Sequence, residues 1–129
     1  MRYYVDFIGT AFDAKERRLY ADAASFLRDK ENAATIITSA EKESFGVVIK
    51  EALEGIPRMS VIYTEGTKKG EFLAPHPHLH ADALLVDDSP AELEVLAHTC
   101  PDLALYEMRR DGGVGDGRWP VLRSLSELP

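Results

Sequence analysis

Asp6-Phe7-Ile8-Gly9-Thr10-Ala11-Phe12-Asp13 closes the first apolar run of the chain with a carboxylate and follows it with a tight glycine turn. Much later, Leu84-Leu85-Val86-Asp87-Asp88-Ser89-Pro90 repeats the arrangement with two adjacent acids. Short apolar runs bounded by turn residues read as buried strands. Carboxylate oxygens are the ligands of hard divalent cations, so two acidic strand ends in one small α/β chain predict a divalent-cation site. Ile8 is apolar at a position where such sites often carry a second acid.

Outward from these two stretches, strands alternate with helices. Residues 3–8 read as the first strand. Asp13 and Glu16 resemble a capping box, which predicts a helix from there to about residue 28 with Tyr20, Ala23, Ala24 and Leu27 inward. Residues 33–38 are a β-branched second strand. Phe45, Val48, Ile49, Ala52, Leu53 and Ile56 recur at helical spacing and form one stripe, stopped by Pro57. Residues 59–64 are the third strand, and residues 65–80 a loop with one helical turn near Phe72. Residues 81–87 are the fourth strand. Ser89, Pro90 and Glu92 then offer an N-cap, a proline at the first helical position and a glutamate at the third. Leu93, Leu96 and Ala97 form that helix's inner face, and Pro101 ends it. Residues 103–108 are the fifth strand, before a glycine-rich turn at 111–117 and a tail holding Trp119, Val121, Leu122 and Leu125. Near-continuous apolar strands alternating with helices indicate a mainly parallel sheet covered on both faces. Ligands of such sheets bind beyond the carboxyl ends of the strands, where Asp6, Thr38, Asp87 and Asp88 all fall.

Composition sets the outer limits. The chain has 129 residues, 45% of them hydrophobic, which suits one domain with one core. A formal charge of -7 would repel a phosphate backbone, so nucleic acid is not an expected partner. No apolar run reaches the roughly 20 residues that span a bilayer, and no signal-peptide pattern precedes Asp6, so no membrane association is expected. Cys100 is the single cysteine and has no partner for a disulfide, which points to a reducing, cytoplasmic compartment.

The order of these features resembles the haloacid dehalogenase-like hydrolases over nearly the whole chain. Asp6-Phe7-Ile8-Gly9-Thr10 is similar to the first motif of that family, Asp-x-Asp-x-Thr, with its second Asp replaced. Thr38 matches the second motif, with Ser39 as the alternative. Lys69, or alternatively Lys68, matches the lysine of the third. Val86-Asp87-Asp88-Ser89-Pro90 is similar to the fourth, acidic motif. The resemblance implies a single three-layer α/β/α Rossmann-like domain over residues 1–129, with a mainly parallel five-stranded sheet in the order 5-4-1-2-3.

It also implies chemistry. Asp6 would be nucleophile and Mg2+ ligand, and the backbone carbonyl of Ile8 a further ligand. Asp88 would bind the ion, with Asp87 acting through water. Thr38 and Lys69 would hold a transferring phosphoryl group. In the phosphatases of the family the second Asp protonates the leaving group and then activates water. Ile8 can do neither, and losing a general acid/base typically slows a reaction by about 10²–10⁴-fold. The expectation is therefore weak or specialised phosphohydrolase activity, with a catalytically inactive binding or interaction scaffold as the alternative. Neither usual insertion point carries a cap domain. Capless members of the family act on macromolecules or cover the site by oligomerising, so a phosphorylated small molecule or macromolecule and a homo-oligomer are the implied partners.

Other motifs carry less. A phosphorelay receiver would place its acidic pair after the first strand and an Asp after the third, and this chain does neither. His76, His78 and His80 would face one side of an extended strand and so could bind a transition metal, but the intervening prolines favour an irregular exposed loop. The Gly112–Gly117 stretch lacks the strand-then-helix context of a phosphate loop. Trp119 is expected to pack the tail on the sheet or to meet a second subunit. Cys100 reads as a helix-end filler.

Overall fold

Burial of the strands on both sides dictates the architecture. The computed structural model describes residues 1–115 and 117–129. In chain order it contains β1 (Arg2–Asp6), β2 (Phe12–Asp13), β3 (Arg18–Leu19), α1 (Ala21–Asp29), β4 (Ala34–Thr38), α2 (Lys42–Ala52), β5 (Ser60–Tyr63), α3 (Lys69–Leu73), β6 (Ala83–Asp87), α4 (Pro90–Thr99), β7 (Ala104–Met108) and β8 (Val121–Leu122). Alternate β1 residues serve opposite cores. Tyr3 and Val5 join Ala23, Leu27 and Ile49 from α1 and α2, whereas Tyr4 joins Leu73, Leu93 and Leu96 from α3 and α4. Helices thus cover both faces of an α/β sheet of Rossmann-like form.

The sheet order is β5-β4-β1-β6-β7-β8 and every pairing in it is parallel. The five expected strands lie in the expected 5-4-1-2-3 order. The sheet has six strands rather than five, however, because Val121 and Leu122 pair with Glu107 and Met108. Two residues are too few to show an alternating or continuous apolar pattern, so this edge strand was hidden in the tail.

The first helix also differs. It begins at Ala21, and residues 12–19 form an antiparallel ribbon instead, Phe12 opposite Leu19 and Asp13 opposite Arg18. Asp13 does act as a cap, since its Oδ1 accepts from the Lys15 and Glu16 amides. The turn it caps then breaks at Arg17, whose φ of 57° lies in the left-handed region. Buried Phe12, stacked on Phe7 with centroids 4.7 Å apart, draws the chain back over the sheet.

Smaller departures follow packing. Ile49, Leu53 and Ile56 of the α2 stripe are buried, but Phe45 is exposed because the first turn of α2 lies beside Tyr63 and Glu65, past the end of β5. Ala97 of α4 is exposed and Glu92 is buried in its place. His80 is buried too, its Nε2 2.6 Å from the Leu73 carbonyl, while His76 and His78 are exposed around a 3-10 turn at Pro77–Leu79. Trp119 packs against the core of the α3/α4 face, and Cys100 is the buried C-cap of α4. Gly112 and Gly117 take φ of 77° and 85°, as turn residues do; Asp116 between them lies outside the described residues. Among the described residues no helix is long and apolar enough to cross a membrane.

Candidate functional site

Three adjacent strands, β4, β1 and β6, end in Thr38, Asp6 and Asp87 respectively, all three buried. Parallel pairing brings these ends to one edge of the sheet, and Asp88 follows directly. The carboxylates of Asp6, Asp87 and Asp88 each offer an oxygen within 4.8 Å of the others. Among the described residues this is the one cluster of three or more His, Cys, Asp or Glu side chains that could hold a metal ion. Gly9 makes the convergence possible. A Cβ on Gly9 would lie 2.2 Å from Asp88 Oδ2, and its φ of 85° disfavours any side chain.

Lys69 sits at the centre. Its Nζ donates to Asp6 Oδ1 at 2.9 Å and Asp87 Oδ2 at 2.7 Å, and lies 3.4 Å from Glu92 Oε2. Lys68 instead points outward, half exposed, 3.9 Å from the other Glu92 oxygen. Burying a lysine this deeply requires α3 to press against α4. Gly70 allows that, because a Cβ there would stand 2.6 Å from Thr99 Oγ1 and 3.0 Å from the Leu96 amide.

The remaining bonds set orientation. Thr10 Oγ1 donates to Asp6 Oδ2 at 3.2 Å, and the Ser89 amide donates to Asp87 Oδ1 at 2.9 Å. Both Asp87 oxygens are thereby engaged, as both Asp6 oxygens are by Lys69 and Thr10. Thr38 Oγ1 accepts from the Ala40 amide, whereas Ser39 is exposed. Ile8 lies in the turn between Asp6 and Gly9, bridged to Phe12, with its side chain 43% exposed.

Sequence reasoning missed Glu92 as a member of this cluster. It read Glu92 only as the third residue of a helix, and Ser89 Oγ does accept from the Glu92 amide at 3.3 Å. The carboxylate, however, turns back to accept from the Lys69 amide at 3.3 Å. An acid one helical turn past the Asp87-Asp88 pair was the available signal.

Crowding leaves its mark on the acids. Burial pushes Asp6 up to about 7, against the pull of Lys69 and with the help of a hydrogen bond to Asp88. Burial and the charge of Asp6 push Asp87 up to about 7, again against Lys69. Burial also raises Asp88, which the bond to Asp6 partly offsets. Burial by itself would lower Lys69, but Asp6 and Asp87 overcome it and hold it above the usual lysine value.

This donor set fits magnesium. An octahedral ion with bonds of about 2.1 Å spans oxygens up to about 4.2 Å apart, so a small inward shift of the three carboxylates suffices. A dication would also offset the burial, and the lesser like-charge crowding, that raise their pKa values. The sign of the pH dependence follows. Folded Asp6 and Asp87 hold protons that the unfolded chain has released, so the stability of the metal-free protein falls as pH rises from about 4 to about 7. A divalent cation needs deprotonated ligands, so its binding would reverse that slope. Thermal melts in EDTA and in magnesium, at about pH 5.5 and about pH 8, should show the larger magnesium gain at the higher pH. An equal gain at both would contradict it.

No protein-family model matches the sequence, and no curated protein matches it. Among solved structures, the chain is similar to the UTR4 protein (Unknown transcript 4 protein) of Saccharomyces cerevisiae, with a TM-score of 0.61 and 19% sequence identity. The match covers 86% of this chain and 57% of the UTR4 chain, so this chain spans little more than half the length of its structural neighbour. The likeness is one of fold.

Proposed function

We propose that the chain is a haloacid dehalogenase-like, Mg2+-binding phosphohydrolase domain restricted to phosphates whose leaving group departs without a proton. The observation that supports this reading is the meeting of Asp6, Asp87 and Asp88 around Lys69 at the ends of adjacent parallel strands. Magnesium, when bound to Asp6, Asp88 and the Ile8 carbonyl, screens the charge between an attacking carboxylate and the phosphoryl oxygens.

The chain's own groups divide the rest. Asp6 attacks phosphorus, and the phosphorus–oxygen bond to the leaving group breaks as the new one forms. Lys69 and Thr38 balance and orient the equatorial oxygens. Thr38 suits this because its oxygen is held by the Ala40 amide and its hydrogen is the donor that remains. Ile8 has no proton to give, so the leaving oxygen departs as an anion, which favours aryl and acyl phosphates over alkyl phosphates. Water then attacks the aspartyl phosphate and loses its proton to solvent.

Residues 9–20 supply only the β2–β3 ribbon and residues 64–68 only a turn, so among the described residues no lid covers the strand ends. A bulky phosphorylated partner or a second copy of the chain completes the exclusion of water. A cytoplasmic setting suits the single buried thiol of Cys100.

One feature favours a second reading, that of an inactive binding scaffold. Lys69 pairs with both Asp6 and Asp87, an arrangement that a purely structural role accounts for. Magnesium titration separates the two. At tenfold over its Kd, a ligand that binds only the folded state adds about 1.4 kcal/mol of stability. That gain is expected in the wild type and absent in Asp88→Ala, together with a beryllofluoride adduct on Asp6. A wild type stabilised by neither ligand would leave the scaffold reading standing.

A further inference from the structure

Arg110 lies two residues beyond β7, on the far side of β6 from the Asp6 loop, yet its guanidinium is bound to that loop. Its Nε and Nη2 donate to the Thr10 carbonyl at 2.9 and 2.7 Å. Its Nη1 and Nη2 pair with Asp22 Oδ1 and Oδ2 at 2.8 and 2.9 Å. Its guanidinium lies 3.8 Å from the centroid of the Tyr20 ring. Asp22 also accepts from the Leu125 amide at 2.8 Å, and burial, which would raise it, is outweighed by these bonds so that it stays below the usual carboxylate range. The planar guanidinium is thus held on three sides, and only its grip on Thr10 reaches the site.

Thr10 is the residue whose hydroxyl donates to Asp6. The loop around it is a closed turn, with the Ala11 and Phe12 amides donating to the Phe7 carbonyl at 2.9 and 2.8 Å. Those bonds fix the turn internally, and buried Phe7, Ala11 and Phe12 seat it on the core. Arg110 adds a grip from outside at the Thr10 carbonyl. We propose that Arg110 is a positioning residue, which fixes the Thr10 turn and through it the direction in which Asp6 presents its carboxylate to a cation.

This inference rests on the magnesium reading above, and one experiment tells their failures apart. Arg110→Met removes the grip on Thr10 together with the Asp22 pair. Asp22→Asn weakens the Asp22 pair and the bond from the Leu125 amide, and leaves the Thr10 carbonyl bonds. Partners that orient a metal ligand typically account for about 10–100-fold in metal affinity. Calorimetric titration with magnesium is therefore expected to show Kd weakened by about 10–100-fold in Arg110→Met and unchanged within about twofold in Asp22→Asn, although both lower the melting temperature. Amide hydrogen exchange at Ala11 and Phe12 should rise in Arg110→Met well beyond the rise in Asp22→Asn. A folded Arg110→Met with wild-type Kd overturns the proposal, as does equal loss of affinity in both variants. If the wild type itself binds no magnesium, the metal reading falls instead, and the exchange rates alone decide whether Arg110 holds the turn.

Discussion

Lys69→Met is expected to lower stability by about 3–5 kcal/mol at about pH 8 in metal-free buffer, the usual penalty for removing one partner of a buried ion pair. The side chain is 3% exposed and its ammonium serves Asp6 and Asp87 directly. Methionine preserves the length of the stem and removes the charge. Two carboxylates, each already raised to about 7 by burial, then lose the group that holds them down, and their pKa values climb further. Above that pH the variant must keep unpaired charge in a dry site. Below about pH 5.5 the acids are protonated, so the loss shrinks toward that of a few hydrogen bonds. Magnesium at millimolar concentration should recover part of the deficit at about pH 8, since a dication replaces the missing cation. Denaturant melts at the two pH values, with and without magnesium, measure all three effects. A deficit below about 1 kcal/mol at the higher pH, or one equal at both, would show that the lysine is not what stabilises the acid cluster.

The parts of this molecule that could be read from sequence are those with a long period or a strong local chemical preference. Five apolar runs separated by helical stripes marked the strands, most plainly the central ones, which are buried on both faces as the two cores meeting at Tyr3 and Tyr4 require, while their order came from the family resemblance. Ser89-Pro90 capped its helix as expected, the serine accepting from Glu92. The failures share a cause, in that the deciding contact left no mark in the local pattern. The Asp13 cap was real but could not be told from a helix start without knowing that Phe12 is drawn under the loop to meet Phe7. Strand β8 pairs through two residues only.

The site shows the same division. Asp6, Asp87 and Asp88 were legible as strand ends, and the choice between Lys68 and Lys69 was not, since one residue of helical rotation decides which ammonium faces inward. Glu92 carried one unused signal, an acid a helical turn past Asp88, whereas Arg110 carried none, since its partner Thr10 lies 100 positions away.

Ile8→Asp is the change with the largest expected gain. On the phosphohydrolase reading, an aspartate two residues after Asp6 would supply a proton donor to the leaving group, and a positioned general acid/base typically contributes about 10²–10⁴-fold. The position tolerates the charge, because Ile8 is 43% exposed and substitutions at such sites usually move stability by no more than about 0.5 kcal/mol. The gain should depend on the substrate. An alkyl phosphate needs the proton and should be hydrolysed faster by most of that factor, while an aryl phosphate, whose anion leaves unaided, should gain little in the first step. The ratio of the two rates in wild type and variant therefore isolates proton transfer from any change in metal binding, which would alter both substrates alike. Ile8→Asn serves as the control, polar and similar in size to aspartate yet unable to carry the proton, and it should leave the ratio where the wild type has it. If Ile8→Asp is folded, is stabilised by magnesium to the wild-type extent and still hydrolyses neither substrate faster, then the apolar side chain is not what limits this site, and the scaffold reading takes its place.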